Sequence, residues 1–247
     1  MTAESNKDYS KAGPQTGEAT KKPPSAFLAW FVGLLYTGLV MAVPFCAARR
    51  LDWVEGWVFL VLIVAGAISS HVFVKARNPE VLKHRKRIGK GTKSWDRIWL
   101  GLFRLMLIGM LVVAGFDAER FGWTSMPWWL CPIGVVLVSL GFALSARSMA
   151  ENPHFEGTVR IQHDRGHRVI DTGPYSIVRH PGYVGISILA LGSPLVLRSM
   201  WALVAAVATV LWIVLRTYLE DRLLQAGLDG YMEYAKRVRS RLIPGVW

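Results

Sequence analysis

The sequence predicts an all-α fold: a polytopic bundle of about five to six transmembrane helices, the last two closed into a hairpin, with a pocket at the cytoplasmic end. Three observations lead there. Hydrophobic residues make up 52% of the chain, and they gather into runs of about 17–25, the length that crosses a ~30 Å hydrocarbon core. Positive charge is lopsided between the loops that join those runs. One dense polar, turn-forming block, Thr172 to Gly185, stands directly against an apolar run, at a depth where polar groups are costly unless partnered or used.

Residues 1–25 are rich in Lys, Ser, Thr, Gly and Pro, cannot bury a core and are expected to be disordered. They do not read as a signal peptide, because the charged stretch is too long and the next apolar run is long enough to span. Six hydrophobic segments follow, near 26–47, 57–75, 98–116, 127–147, 183–197 and 200–218. The fifth is short and interrupted by Gly192, Ser193 and Pro194, with Arg198 before the sixth, so a tight helical hairpin is expected there. The chain divides into the tail 1–25, N-terminal transmembrane helices over 26–140, and a core with a C-terminal cytoplasmic tail over 141–247.

If all six segments span, the N-terminal tail, the 75–97 and 147–182 loops and the C-terminal end share one side. That side carries 24 of the 29 Lys and Arg residues, against Arg49, Arg50, Arg120 and Arg198 opposite, with Arg104 inside the third segment. The bias places both termini in the cytoplasm. The net charge of +12 is thereby explained by basic loops at a membrane, and no nucleic-acid motif accompanies it. Two cysteines, Cys46 and Cys131, both in apolar segments, exclude a disulfide framework and a Cys-based zinc site. All six histidines fall on the cytoplasmic side or at its edge, as do Glu220 and Asp221, so any chemistry faces that way.

Two blocks hold the candidate chemistry. The first runs Gly173-Pro174-Tyr175-Ser176-Ile177-Val178-Arg179-His180-Pro181-Gly182-Tyr183. It reads either as an interfacial turn with Pro181 in the first turn of a helix and belt tyrosines, or as a site. The second opens with Arg216, Glu220 and Asp221 and continues through Tyr231 and Tyr234 to Pro244. Arg216 and Glu220 are four apart and share a helix face. They form either an ion pair anchoring the helix at the headgroups or one charged wall of a pocket.

Gly-Pro-Tyr, then Arg-His-Pro-x-Tyr, resembles the signature of the isoprenylcysteine carboxyl methyltransferase and phospholipid methyltransferase superfamily. The second block extends the resemblance through Arg216, the acidic pair Glu220-Asp221, Tyr231-x-x-Tyr234, Val238, Arg241 and Pro244. It covers roughly residues 140–247. Asp221 stands where the pair is often Glu-Glu.

The resemblance implies an integral membrane methyltransferase that uses S-adenosylmethionine on a lipophilic small molecule, with no metal and no nucleic acid, in a multi-pass cytoplasmic membrane protein. Cofactor contacts are then expected from Gln162, His167, Gly173, Pro174, Tyr175, Arg179, His180, Pro181, Tyr183, Glu220, Asp221 and Tyr234. Tyrosine faces suit a sulfonium, Arg179 a carboxylate, and Glu220 or Asp221 an ammonium or a ribose hydroxyl. Arg216 and Glu220 are the catalytic candidates, with Arg216 orienting a substrate carboxylate. Methyl transfer needs alignment and exclusion of water more than covalent help, so O-methylation of an already ionised carboxylate is the leading expectation.

Other signals are weaker. His163-x-x-x-His167 contains Gly166, which favours a turn over a helix and speaks against metal ligation. Arg104 either lines the pocket or pairs with an acid. The Lys83–Lys93 run reads as a solvated loop at anionic lipid, and Trp123, Trp128 and Trp129 as an outer aromatic belt. Two alternatives compete: an NADPH-dependent reductase of the sterol reductase type, which shares an Arg-x-Pro-x-Tyr-like block, and a non-catalytic membrane scaffold.

Overall fold

The computed structural model describes residues 38–84 and 92–247. The polar tail, the first part of the 26–47 segment and most of the Lys83–Lys93 run lie outside them. Helices α1 (Gly38–Ala48), α2 (Val54–Arg77), α3 (Pro79–His84), α4 (Ser94–Gly115), α5 (Leu130–Glu151), α6 (Pro181–Val196), α7 (Met200–Gly227) and α8 (Tyr231–Arg237) make up the described chain, and no strand occurs among the described residues. A π-helical turn, Phe116–Arg120, prolongs α4. Four helices are long and apolar enough to cross a membrane: α2, α4 with its π turn, α5 and α7, while α1 and α6 are shorter apolar helices. The protein is an integral membrane protein. Residues 39–247 form one compact unit, and α5 runs through residue 140, so the N-terminal helices and the core are joined by a shared helix.

Local sequence explains the helix ends. In α2, Glu55 lies in the first turn and Lys75 and Arg77 in the last, each complementing the helix dipole. The Ser199 hydroxyl caps α7 by accepting from the Ala202 N–H at 3.0 Å. Pro181 opens α6, where an N–H has no helical partner to lose. Pro194 was expected to break the fifth segment. Instead α6 continues through it to Val196, because the proline sits in the last turn. The hairpin then closes over Leu197–Ser199, with Arg198 left-handed at φ 55°. Arg198 is held there by the Met126 carbonyl at 2.9 and 3.0 Å and by Glu55 at 2.9 Å.

The tightest helix contact is α5 against α6. A Cβ on Gly141 would stand 2.7 Å from the Gly185 carbonyl, and one on Gly134 2.6 Å from the Val196 nitrogen. Glycine alone lets these backbones meet, the usual means of packing helices where lipid supplies no hydrophobic drive. α7 packs on both α6 and α4. Trp99 and Trp212 join α4 to α7, their rings stacked at 6.1 Å and each indole N–H donating to the other's carbonyl at 3.1 and 3.4 Å. The start of α4, the ends of α5 and α7 and the start of α6 therefore converge at one end of the bundle.

Arg104 takes neither expected role. It is exposed on α4 and makes no ion pair among the described residues. Trp123, Trp128 and Trp129 are exposed at the opposite end, as a belt requires.

Candidate functional site

At that convergent end lies a cavity of about 240 Å³, just below the ~300–1,000 Å³ usual for small-molecule sites. Its inner wall is apolar and aromatic, from Trp99, Leu100 and Phe103 of α4, Ile186 of α6 and Ile213 of α7. Its roof is the 152–170 loop.

The first block enters the site through a sequence of turns. Gly173 adopts φ 56°, where a Cβ would meet the Glu151 carboxylate at 2.8 Å. Gly173 opens a short 3-10 turn, with Pro174 in its first positions, that buries Tyr175. The Tyr175 carbonyl accepts from the Tyr234 hydroxyl at 2.7 Å, which pins α8 to this turn. Burial pushes both phenols above their ordinary range. The Arg179 and His180 N–H groups then donate to the Ser240 and Arg241 carbonyls at 3.0 Å, laying the C-terminal tail along the block.

Asp221, fully buried, is the hub of this clamp. Arg179 donates to both its oxygens at 2.8 and 2.9 Å, Arg241 at 2.8 Å, Gln225 at 2.6 Å and the Tyr231 hydroxyl at 2.9 Å, with His180 Nε2 at 3.3 Å. Arg179 Nη1 also holds the Val238 and Arg239 carbonyls. These groups are saturated by the protein itself. Glu220, one residue earlier and about 100° round the helix, faces the cavity instead and accepts the Tyr183 hydroxyl at 2.5 Å. The His180 ring packs on Tyr183 at 5.8 Å.

Arg216 does not pair with Glu220. Its Nη2 donates to the Gly157 carbonyl at 2.8 Å and lies 3.0 Å from Asp96 Oδ1. The guanidinium sits 4.4 Å from the Trp99 ring centre and 5.5 Å from that of Tyr183, a position that cation–π attraction stabilises.

In the roof, Gln162 donates to the His154 carbonyl at 2.7 Å and accepts from Arg165 at 2.7 Å. The rings of His154 and His167 are 4.6 Å apart. Burial, then neighbouring positive charge, pushes both imidazoles below their ordinary range, His167 to a pKa of about 4. His163 forms a 3-10 turn with Asp164 and Arg165, and Gly166 is left-handed, as the sequence predicts. His167 meets His154 rather than His163.

Of the expected site residues, Gln162, His167, Tyr175, Arg179, His180, Tyr183, Arg216, Glu220 and Tyr234 line one cavity, whereas Gly173, Pro174, Pro181 and Asp221 support it from behind. Sequence reasoning missed His154, Glu156, Trp99 and Arg168, which also line it, and Asp96. A histidine just past a membrane helix was the available signal for His154. Asp96 looks like any acid in a first helical turn.

The sequence model of the phospholipid methyltransferase family matches residues 129–228. Protein-S-isoprenylcysteine O-methyltransferase B of Arabidopsis thaliana is 30% identical over 117 residues, 46% of this chain and 59% of that protein. The probable protein-S-isoprenylcysteine O-methyltransferase of Oryza sativa subsp. indica is 32% identical over 119 residues, 47% of this chain and 62% of that protein. The matched region thus spans about three-fifths of these curated relatives. The solved eukaryotic intramembrane Ras methyltransferase, isoprenylcysteine carboxyl methyltransferase, superposes with a TM-score of 0.61 at 18% identity, over 89% of this chain and 81% of that one, so the fold is shared. Residues 129–228, which carry the first block and the Arg216–Glu220–Asp221 cluster, are thus similar to the phospholipid methyltransferase family and to the isoprenylcysteine O-methyltransferases, on a fold shared with isoprenylcysteine carboxyl methyltransferase.

Proposed function

We propose that the protein is an S-adenosylmethionine-dependent O-methyltransferase acting on a lipophilic carboxylate at the cytoplasmic face of a membrane. The observation that carries this is the single cavity in which Tyr183, Glu220 and Arg216 meet a polar roof on one side and an apolar wall within the bundle on the other. The curated relatives named as protein-S-isoprenylcysteine O-methyltransferases support it. The basic residues gathered at the cavity end support its cytoplasmic orientation.

The residues present fit the cofactor. Two buried polar atoms on cavity-lining side chains, His154 Nδ1 and Arg216 Nε, have no protein partner among the described residues and would be stable only with a ligand or water beside them. Tyr183 and Glu220 offer an aromatic face and a carboxylate for a sulfonium and an ammonium. Gln162, His154 and neutral His167 offer hydrogen bonds to a nucleoside. When bound, the cofactor supplies an electrophilic methyl group.

Everything else falls to the chain. Glu220 and Tyr183 fix the cationic end, Arg216 orients the carboxylate oxygen toward the methyl group, and the roof with its clamped tail excludes water. A carboxylate needs no base at neutral pH. Arg179 and Asp221, saturated by each other and by the tail, hold His180 and the C-terminal tail in register.

The test is radiolabelled methyl transfer from S-adenosylmethionine to N-acetyl-S-farnesylcysteine in detergent or nanodiscs. Base-labile methyl ester product supports the reading. Tight NADPH binding without S-adenosylhomocysteine binding replaces it with the reductase.

A further inference from the structure

Asp96 belongs to no cavity wall, yet it determines what the cavity's cation does. It is fully buried in the first turn of α4. Its Oδ2 accepts the Val159 N–H of the roof at 2.8 Å. Its Oδ1 lies 3.0 Å from Arg216 Nη2, within ion-pair range but without hydrogen-bond alignment. Trp99, three residues on and on the same face of α4, supplies the ring under the same guanidinium. One helix turn thus provides both the counter-charge and the stacking plane. The Gly157 carbonyl of the roof takes the second contact from Nη2.

Arg216 is therefore held along one edge. Among the described residues, Nε and Nη1 make no hydrogen bond, so three of the five N–H donors are unspent. The fork is fixed in plane by two aromatic rings and fixed in rotation by Asp96 and Gly157. Asp96 also cancels its charge, which has a cost: a neutralised guanidinium attracts an anion less strongly than a free one.

We propose that Asp96 is a positioning residue for the reaction, trading affinity for the substrate carboxylate against orientation of the Arg216 fork. The proposal rests on the methyltransferase reading above. It predicts an unusual signature. Removing the carboxylate leaves Arg216 more cationic and less oriented, so anion binding tightens while turnover falls. A merely structural role weakens both together.

The test uses the full-length protein in nanodiscs with two probes, S-adenosylhomocysteine and N-acetyl-S-farnesylcysteine, titrated separately, followed by methyl-transfer kinetics. Asp96→Asn is expected to keep its S-adenosylhomocysteine Kd, to bind the farnesylcysteine several-fold more tightly and to lose about tenfold or more in kcat. Asp96→Glu, which keeps the charge and serves should the Asn variant fail to fold, is expected to bind both probes as wild type does, with kcat between the two. Weakened binding of both probes in either variant overturns the proposal, and so does an unchanged kcat. If the wild type binds S-adenosylhomocysteine but not the farnesylcysteine, this inference fails while methyl transfer stands. If it binds neither, the methyltransferase reading itself has failed.

Discussion

The Tyr183 hydroxyl donates to the Glu220 carboxylate across 2.5 Å, tying the first turn of α6 to the C-terminal half of α7 at the floor of the cavity. This bond spans 37 residues and gives the two motif blocks a common physical meaning. It also fixes which face of Glu220 remains for a cation.

Tyr183→Phe removes that donor and keeps the ring. With the carboxylate freed but no longer aimed, S-adenosylhomocysteine affinity is expected to fall about tenfold to a hundredfold, as losing a hydrogen bond to a charged group costs about 1.5–3 kcal/mol. Titration calorimetry on the two proteins measures it. Equal affinities would mean the bond has no part in cofactor binding.

Asp221→Ala should unfold the tail. It strips the partner from Arg179 and Arg241 together, and breaking a buried pair by removing one member costs about 3–5 kcal/mol. Melting temperature reports the loss, and limited proteolysis localises it to 237–247. A variant with wild-type melting and a protected tail would show that the backbone bonds from Arg179 and His180 hold the tail without Asp221.

Close packing of α5 on α6 gives a paired prediction. Gly141→Ala places a methyl group against backbone atoms at 2.7 and 2.8 Å, and such overpacking costs about 1–3 kcal/mol. Gly101→Ala, on α4 with nothing within 4 Å, should leave the melting temperature unchanged or raise it. Similar melting of the two variants would contradict the packing described.

Acid should destabilise the roof. His167 is held at about 4, first by burial, then by His154, Arg160, His163 and Arg165, whereas an unfolded histidine titrates near 6.5. Between those values the unfolded chain binds the extra proton. Stability from this group is therefore complete above about pH 6.5 and is lost as pH falls toward 4. Melting temperature should fall as pH is lowered through that window, and His167→Gln should flatten the dependence. An identical slope in the variant would place the acid sensitivity elsewhere.

Much of this was readable in the residues. Run length gave the helices, and Gly192 to Arg198 gave the hairpin, although α6 absorbs Pro194 in its final turn. The two motif blocks pointed to one pocket, and seven of their expected contacts line it, with Gln162 and His167 from the loop between. What could not be read was the choice of partner. Arg216 and Glu220 share a helix face, and spacing alone pairs them. The folded chain instead gives Arg216 to Asp96 and Glu220 to Tyr183. That choice is made by where α4 and α6 land against α7, which no local pattern encodes. The division of labour between Glu220 and Asp221 is similar: both are acids, but one turns to the cavity and its neighbour into the tail.

The most direct measurement is isothermal titration of the purified protein with S-adenosylhomocysteine, beside His180→Ala and Glu220→Ala. Micromolar binding by the wild type, lost in both variants, is the predicted result and places the cofactor between the two blocks. A folded wild type that does not bind, or variants that bind as well as it does, would contradict the site described.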